Sequence, residues 1–120
     1  MVHLATASVV CVAVLHVVFF IMESLLWMSP RVMQIFGNTR EAAAATKVVA
    51  LNQGFYNLGA AALLIWLQAT GNTAGVLGVL LFIVCMGIVG ALSAKWEIIL
   101  IQSLPAVAGF VLVYLYSSPA

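Results

Sequence analysis

The residues best suited to chemistry are His16 and Glu23, which interrupt the apolar segment HVVFFIMESLLW. Imidazole and carboxyl groups transfer protons at active sites, and an ionisable side chain within a membrane usually lines a cavity or a proton path. Their seven-residue spacing places both on nearly the same helix face, about 10 Å apart along the axis. We predict that Glu23 is a general acid or base, and that His16 is a second proton-transfer group that does not touch it.

A second polar group occupies the segment NQGFYN, which begins at Asn52. Asn52 and Tyr56 are four residues apart, as are Gln53 and Asn57, so the four side chains cover an arc of about 140° on a helix. Amide and hydroxyl groups can bind a polar headgroup or stabilise charge that develops in a reaction. They can also act as hydrogen bonds between membrane helices. We predict that all four bind a ligand opposite the wall formed by the first helix.

Three further residues complete the predicted site. Gln102 stands three residues before Pro105. Pro105 lacks a backbone N–H and is expected to distort its helix. The Gln102 amide would help to bind the polar part of a ligand. Phe20 and Trp27 share the Glu23 face of the first helix and would form an apolar wall.

The elements that must position these residues are membrane helices. Of the 120 residues, 66% are hydrophobic and 6% are charged, and no soluble domain of this size could cover so much apolar surface. A helical membrane crossing takes about 20 apolar residues, and the chain has four such runs, at residues 4–28, 46–69, 74–94 and 98–116. The short connections predict an all-α integral membrane four-helix up-down bundle, with one domain over residues 1–120.

Basic residues set the expected orientation of these helices. Arg31, Arg40 and Lys47 lie in or beside the first connection, and Lys95 lies in the third. Because short loops rich in Lys and Arg stay in the cytoplasm, both chain termini are predicted to lie outside. The expected location is a bacterial inner membrane, and the polar residues fall in the cytoplasmic halves of their helices. We therefore expect the site to open toward the cytoplasm.

The sequence lacks the motifs of metal, redox, phosphate-binding and nucleic-acid-binding sites. Cys11 and Cys85 lie in separate apolar runs with no CxxC pair, which argues against a zinc site or a redox pair. The sequence has no glycine-rich phosphate loop and no basic patch for nucleic acid. We expect neither a metal nor a cofactor.

Three motifs, HVVFFIMESLLW, NQGFYN and QSLPAVAG, follow one another along nearly the whole chain. In this order they resemble the small bacterial membrane-protein family catalogued as domain of unknown function 1304. The resemblance implies a four-helix membrane protein and places all the predicted site residues within the family's motifs. It implies no activity.

These observations favour a polar pocket that binds a small apolar or amphipathic molecule within the membrane. Proton-shift isomerisation or epimerisation is the simplest chemistry that Glu23 and His16 could perform. Whether the protein is an enzyme or only a binder stays open at this point.

Two alternatives remain. Four helices and one carboxylate in the first helix resemble the architecture of small multidrug-resistance exporters, which exchange protons for lipophilic cations as dimers. An off-centre Glu23 argues against this alternative, because alternating access favours a site near the midplane. A homodimer could nevertheless bury the small-residue stripe of the third helix, at Gly87 and Gly90. In the other alternative, the protein is a structural membrane subunit whose polar residues only hold a partner.

Overall fold

The computed structural model of this protein describes residues 1–117; residues 118–120, the end of the predicted domain, lie outside the described residues. The described chain is built of α-helices and two π-helical turns, with no strand, so the predicted all-α fold class is confirmed. The elements are α1 (Val2–Phe20), π1 (Ile21–Leu25), α2 (Pro30–Phe36), α3 (Arg40–Ala69), α4 (Thr73–Ser93), π2 (Ile99–Ser103) and α5 (Leu104–Ser117).

Four helical segments of the described chain are long and apolar enough to span a membrane, namely Val2–Leu25, Arg40–Ala69, Thr73–Ser93 and Ile99–Tyr116. They confirm an integral membrane protein of the predicted four-helix class. Within the most apolar 18 residues of each segment, 28% are buried in the first and 22% in each of the others. Most residues of these segments are therefore not buried within the chain, as expected of helices surrounded by hydrocarbon.

The first connection contains a short helix, α2, that the sequence analysis did not predict. Ser29 caps its start, because the Ser29 hydroxyl accepts a hydrogen bond of 3.3 Å from the backbone N–H of Val32. Pro30 occupies the first position, where a missing N–H costs nothing. Gly37 ends the helix with a φ of 67°, in the left-handed region that glycine adopts without strain.

Helix α3 corresponds to the second predicted run, residues 46–69. It begins at Arg40, earlier than the predicted start at residue 46. The cause is a second cap: the backbone N–H of Ala42 donates to Oγ1 of Thr39 at 3.1 Å. The residues from Arg40 to Lys47 have no helix-breaking glycine or proline, so the helix runs on past the end of its apolar part.

The chain packs as two compact units. One consists of residues 16–61 and is called the Glu23 unit; the other consists of residues 1–15 with the chain from Ala62 onward and is called the Gln102 unit. The described core of the Gln102 unit includes Leu64 and Leu80, both fully buried. The Glu23 unit buries mainly small side chains of α3, which let other segments approach its backbone closely.

A serine in π1 joins the first helix to α3 within the Glu23 unit. Ser24 Oγ donates to the carbonyl oxygen of Leu51 at 2.9 Å, and the same hydroxyl lies against Gly54. The glycine follows the carbonyl residue by three positions, so one turn of α3 provides both the acceptor and the space for the serine.

The Gln102 unit repeats this serine–glycine contact with different residues. Ser103 Oγ, in π2, donates to the carbonyl oxygen of Val84 at 3.0 Å and lies against Gly87 of α4. The glycine again stands three positions after the carbonyl residue. The glycine stripe of the third apolar run therefore packs within the chain, since Gly90 also lies against Ile98.

Both serines stand in or at the end of a turn wider than an α-helical one. The backbone N–H of Leu26 donates to the carbonyl oxygen of Ile21 at 3.0 Å, five residues earlier, and Leu104 donates to Ile99 in the same way. The second π turn lies directly before Pro105, where the sequence predicts a distortion. The first π turn has no proline within it and was not predicted.

The two serine–glycine contacts predict an asymmetry between glycines of one helix. A Cβ at position 87 would overlap the Ser103 hydroxyl, whereas nothing lies within 4 Å of one at Gly78 in the same helix. We expect Gly87→Ala to lower the free energy of unfolding by about 1–3 kcal/mol through overpacking. Gly78→Ala, the matched control, should be neutral or stabilise by up to about 1 kcal/mol. Circular dichroism of unfolding in detergent measures both, and equal effects would contradict the packing argument.

Candidate functional site

The strongest candidate for a site is the side-chain pair formed by Glu23 and Asn57. Glu23 is half-buried in π1, and its Oε2 accepts a hydrogen bond of 2.6 Å from Nδ2 of Asn57 in α3. Among residues 1–117 this is the one polar contact of the Glu23 side chain. A carboxyl group offers about four acceptor positions, so most of its hydrogen-bonding capacity is open to a ligand, to water or to a proton.

Asn57 sets the level of the pair along α3. Asn57 stands ten residues, or about 15 Å, after Lys47 and twelve residues, or about 18 Å, before Ala69. It is therefore near the middle of the apolar part of α3. Because the Glu23 carboxyl bonds to this amide, the carboxyl lies near the same level along α3.

The π turn allows two adjacent side chains of π1 to contact α3. A π turn holds more residues than an α turn, so neighbouring side chains are separated by a smaller angle around the axis. Glu23 and Ser24 are adjacent in sequence, yet both reach α3, at Asn57 and at Leu51. π turns are frequent at functional sites, and here the turn aims an acid and a hydroxyl at the same helix.

The Glu23 unit also contains two aromatic contacts of the first helix. The ring of Phe20 packs edge-on against Phe55, with centroids 5.2 Å apart. Trp27 anchors the end of the first helix, because its indole N–H donates to the carbonyl oxygen of Ala43 at 3.0 Å and its ring lies 4.9 Å from that of Phe36. Phe20 thus provides apolar surface one turn from Glu23, while Trp27 has contacts that fix the helix end.

The remaining predicted site residues are placed differently from one another. His16 belongs to the same unit, is 3% exposed, and packs edge-on against Phe19, with centroids 5.5 Å apart. Gln102 belongs to the other unit, where its Nε2 donates to the carbonyl oxygen of Ile83 at 3.3 Å. Each is therefore already held by neighbouring protein atoms.

The polar group of α3 divides between two faces of the helix. Asn57 points to Glu23, whereas Asn52, Gln53 and Tyr56 are exposed, Tyr56 by 70%. The predicted arc of about 140° is wide enough for this division. Asn57 therefore carries the described contact with Glu23, and a ligand role for the other three stays a prediction.

Two contributors to this region were missed by the sequence analysis. Ser24 was overlooked because a serine in an apolar run usually bonds to its own helix. Phe55 was overlooked because it is apolar within a polar motif. A signal existed for Ser24: it follows Glu23 directly, and Gly54 on the next long helix provides the space that it fills.

Metal binding finds no support in the side-chain positions. Nowhere in residues 1–117 do three His, Cys, Asp or Glu side chains come together as a possible ligand set. Cys11 and Cys85 are both free and exposed.

The chain matches the model of a known protein family. The family described as "Protein of unknown function (DUF1304)" matches residues 10–114. The chain belongs to this family. The match confirms the resemblance carried by the three motifs and includes both members of the Glu23–Asn57 pair. No curated protein and no solved structure matches the chain.

The geometry of the pair predicts which amide of NQGFYN supports the fold. We expect Asn57→Leu to lower the free energy of unfolding by about 1–3 kcal/mol, because it leaves the Glu23 carboxyl without its donor. Gln53→Leu is the matched control: Gln53 is exposed and bonds to no described residue, so its change should stay within about 0.5 kcal/mol. Denaturant titrations in detergent measure both, and a larger loss in Gln53→Leu would contradict the assignment.

Proposed function

We propose that this protein binds a small apolar or amphipathic molecule within the membrane, and that Glu23 exchanges a proton with that molecule. Asn57 holds Oε2 of the carboxyl, which leaves Oε1 to face the ligand. Phe20, three residues before Glu23 and packed edge-on against Phe55, would supply apolar surface for the ligand.

The observation that carries this proposal is the difference between the two serine–glycine contacts. In both, a long polar side chain stands directly before the serine: Glu23 before Ser24, and Gln102 before Ser103. The second contact joins its helices with a neutral amide bonded to a backbone carbonyl. A carboxyl group is thus unnecessary for pairing two helices in this way. Its presence in the first contact favours a role in proton transfer over a purely structural one.

The chemistry that suits a single anchored carboxyl is a proton shift. A general base removes a proton from one carbon of a bound molecule, and an acid returns it to another carbon or to the opposite face. Substrate and product then have the same composition, and no electrons leave or enter. In this proposal Glu23 is the first group and His16 would be the second, with the exposed amide of Gln53 binding the polar part of the ligand.

Proton-coupled export is the second candidate, and one observation favours it. Asn57 lies near the middle of the apolar part of α3, at about 15 Å from Lys47 and about 18 Å from Ala69. This level along α3 supports export, because alternating access favours a site near the midplane. The objection that Glu23 is off-centre loses force at this depth.

The proposed location is a bacterial inner membrane with both chain termini outside and the site open to the cytoplasm. The support is the distribution of Arg31, Arg40, Lys47 and Lys95, together with short connections. Labelling with a membrane-impermeant thiol reagent tests the orientation. In a cysteine-free background, intact cells should label Thr70→Cys in the second connection and spare Asn38→Cys in the first; the reverse pattern would invert the topology.

Native mass spectrometry of protein released from its membrane tests the binding proposal. A small molecule should co-purify with the unaltered chain and be lost in Glu23→Gln, because an amide cannot accept the proton or carry the charge. Glu41→Gln is the matched control, since it makes the same chemical change at an exposed residue in the first turn of α3, outside the apolar run. Retention of the molecule by Glu23→Gln would contradict the proposal.

Liposomes separate binding from export. If the protein exports lipophilic cations, an imposed proton gradient should drive their efflux from proteoliposomes, and Glu23→Gln should abolish it while Glu41→Gln leaves it intact. If the protein is a proton-transfer enzyme, efflux stays at the level of empty liposomes while the co-purifying molecule is converted. Efflux that Glu23→Gln does not change would exclude Glu23 as the coupling group.

A further inference from the structure

The longest helix, α3, carries an exposed stripe on the side opposite its buried residues. Ala50, Gly54 and Asn57 lie on its inner side. Five exposed residues on the outer side, all in the Glu23 unit, make up the stripe: Ala45, Val49, Asn52, Tyr56 and Gly59. Val49 and Tyr56 are each 70% exposed, so no other part of the described chain covers the stripe.

The stripe contains a polar group that hydrocarbon cannot satisfy. Asn52 has two amide donors and a carbonyl acceptor, and its side chain bonds to none of residues 1–117. The Tyr56 hydroxyl, one turn away, likewise lacks a partner in that range. Lipid tails offer neither a donor nor an acceptor, and unsatisfied polar groups are costly there. The stripe therefore needs a polar partner within the membrane.

The spacing of the stripe indicates what kind of partner fits. Its residues are separated alternately by four and three positions, which is the heptad spacing of two helices that pack in a left-handed pair. A glycine at position 59 lets a second backbone come close, since nothing lies within 4 Å of its missing side chain. A single Asn in such a seam fixes the register of the pair.

We propose that the stripe on α3 is the interface of a parallel homodimer, with Asn52 at its centre. Two copies that insert in the same orientation present parallel α3 helices, related by a two-fold axis along the membrane normal. Residues on the axis then meet their own copies at the same depth. An Asn amide both donates and accepts hydrogen bonds, so the Asn52 side chains of two copies can satisfy each other. No charged residue on a different partner is needed.

The other surface that could hold a second copy is already occupied. The glycine stripe of α4 packs within the chain, with Gly87 against Ser103 and Gly90 against Ile98. A dimer through that surface would have to displace these contacts. The α3 stripe requires no such displacement.

Disulfide cross-linking in liposomes tests the interface directly. In a background with Cys11→Ala and Cys85→Ala, mild oxidation should convert Val49→Cys and Gly59→Cys to covalent dimers. Leu51→Cys and Ala62→Cys are the matched controls, because these residues are also exposed on α3 but lie off the stripe. They should remain monomeric. Equal cross-linking at all four positions, or at the controls alone, would overturn the proposal.

Dilution in lipid tests the role of Asn52. Energy transfer between labelled copies should show that Asn52→Leu weakens dimerisation by about three- to thirtyfold, as expected for the loss of an interhelical hydrogen bond. Gln53→Leu, which removes an amide one position off the stripe, should leave it unchanged. The proposed interface is overturned if the unaltered chain stays monomeric at every dilution, or if Asn52→Leu dimerises as well as Gln53→Leu.

The dimer and the proposed function fail separately. Glu23→Gln should abolish ligand binding and leave energy transfer between copies intact, because Glu23 contacts Asn57 on the inner side of α3, away from the stripe. If the chain dimerises through the stripe but no small molecule co-purifies with it, the interface stands and the proposed function is wrong. If the chain is a monomer that binds a small molecule through Glu23, the proposed function stands and the interface is wrong.

Discussion

A polar group within hydrocarbon has no water to bond to, and this constraint determines most of the described contacts. Helices satisfy their own backbones, so the exceptional positions are those where a helix starts, widens or meets another. The indole of Trp27 bonds to a carbonyl of α3, and Ser24 and Ser103 reach carbonyls of neighbouring helices. In each case a short side chain or a ring N–H joins segments that apolar packing alone would leave free to slide.

The two π turns gain their importance from the same constraint. Apolar contacts between membrane helices are hardly more favourable than contacts with lipid, so close backbone approach and hydrogen bonds decide which helices pair. Each π turn meets a glycine, and each supplies one hydroxyl. The first turn supplies a carboxyl group as well, and Asn57 accounts for only part of its hydrogen-bonding capacity. A carboxyl that is held in place but only partly satisfied is what proton exchange with a ligand would need.

The sequence predicted the fold class well because membrane helices are marked by length and hydropathy, which require no knowledge of tertiary contacts. It predicted that Glu23 and all four polar residues of NQGFYN belong to one site, but it could not tell which amide would face the acid. That choice depends on the rotation of α3, and the small residues Ala50 and Gly54 turn Asn57 inward and Asn52 outward. The widened turn at Ile21 was unpredictable from composition, since it has no proline and its residues suit an α-helix.

The length of α3 has a mechanical consequence. Its 30 residues extend for about 45 Å, against about 30 Å of hydrocarbon in a typical bilayer. A helix this long either tilts or extends its first turns into the headgroup region, and the balance shifts with bilayer thickness. Glu23, Ser24 and Trp27 are all bonded to α3, so the end of the first helix moves with it whenever the tilt changes. The position of the carboxyl group relative to the two membrane surfaces therefore depends on the thickness of the lipid in which the protein lies.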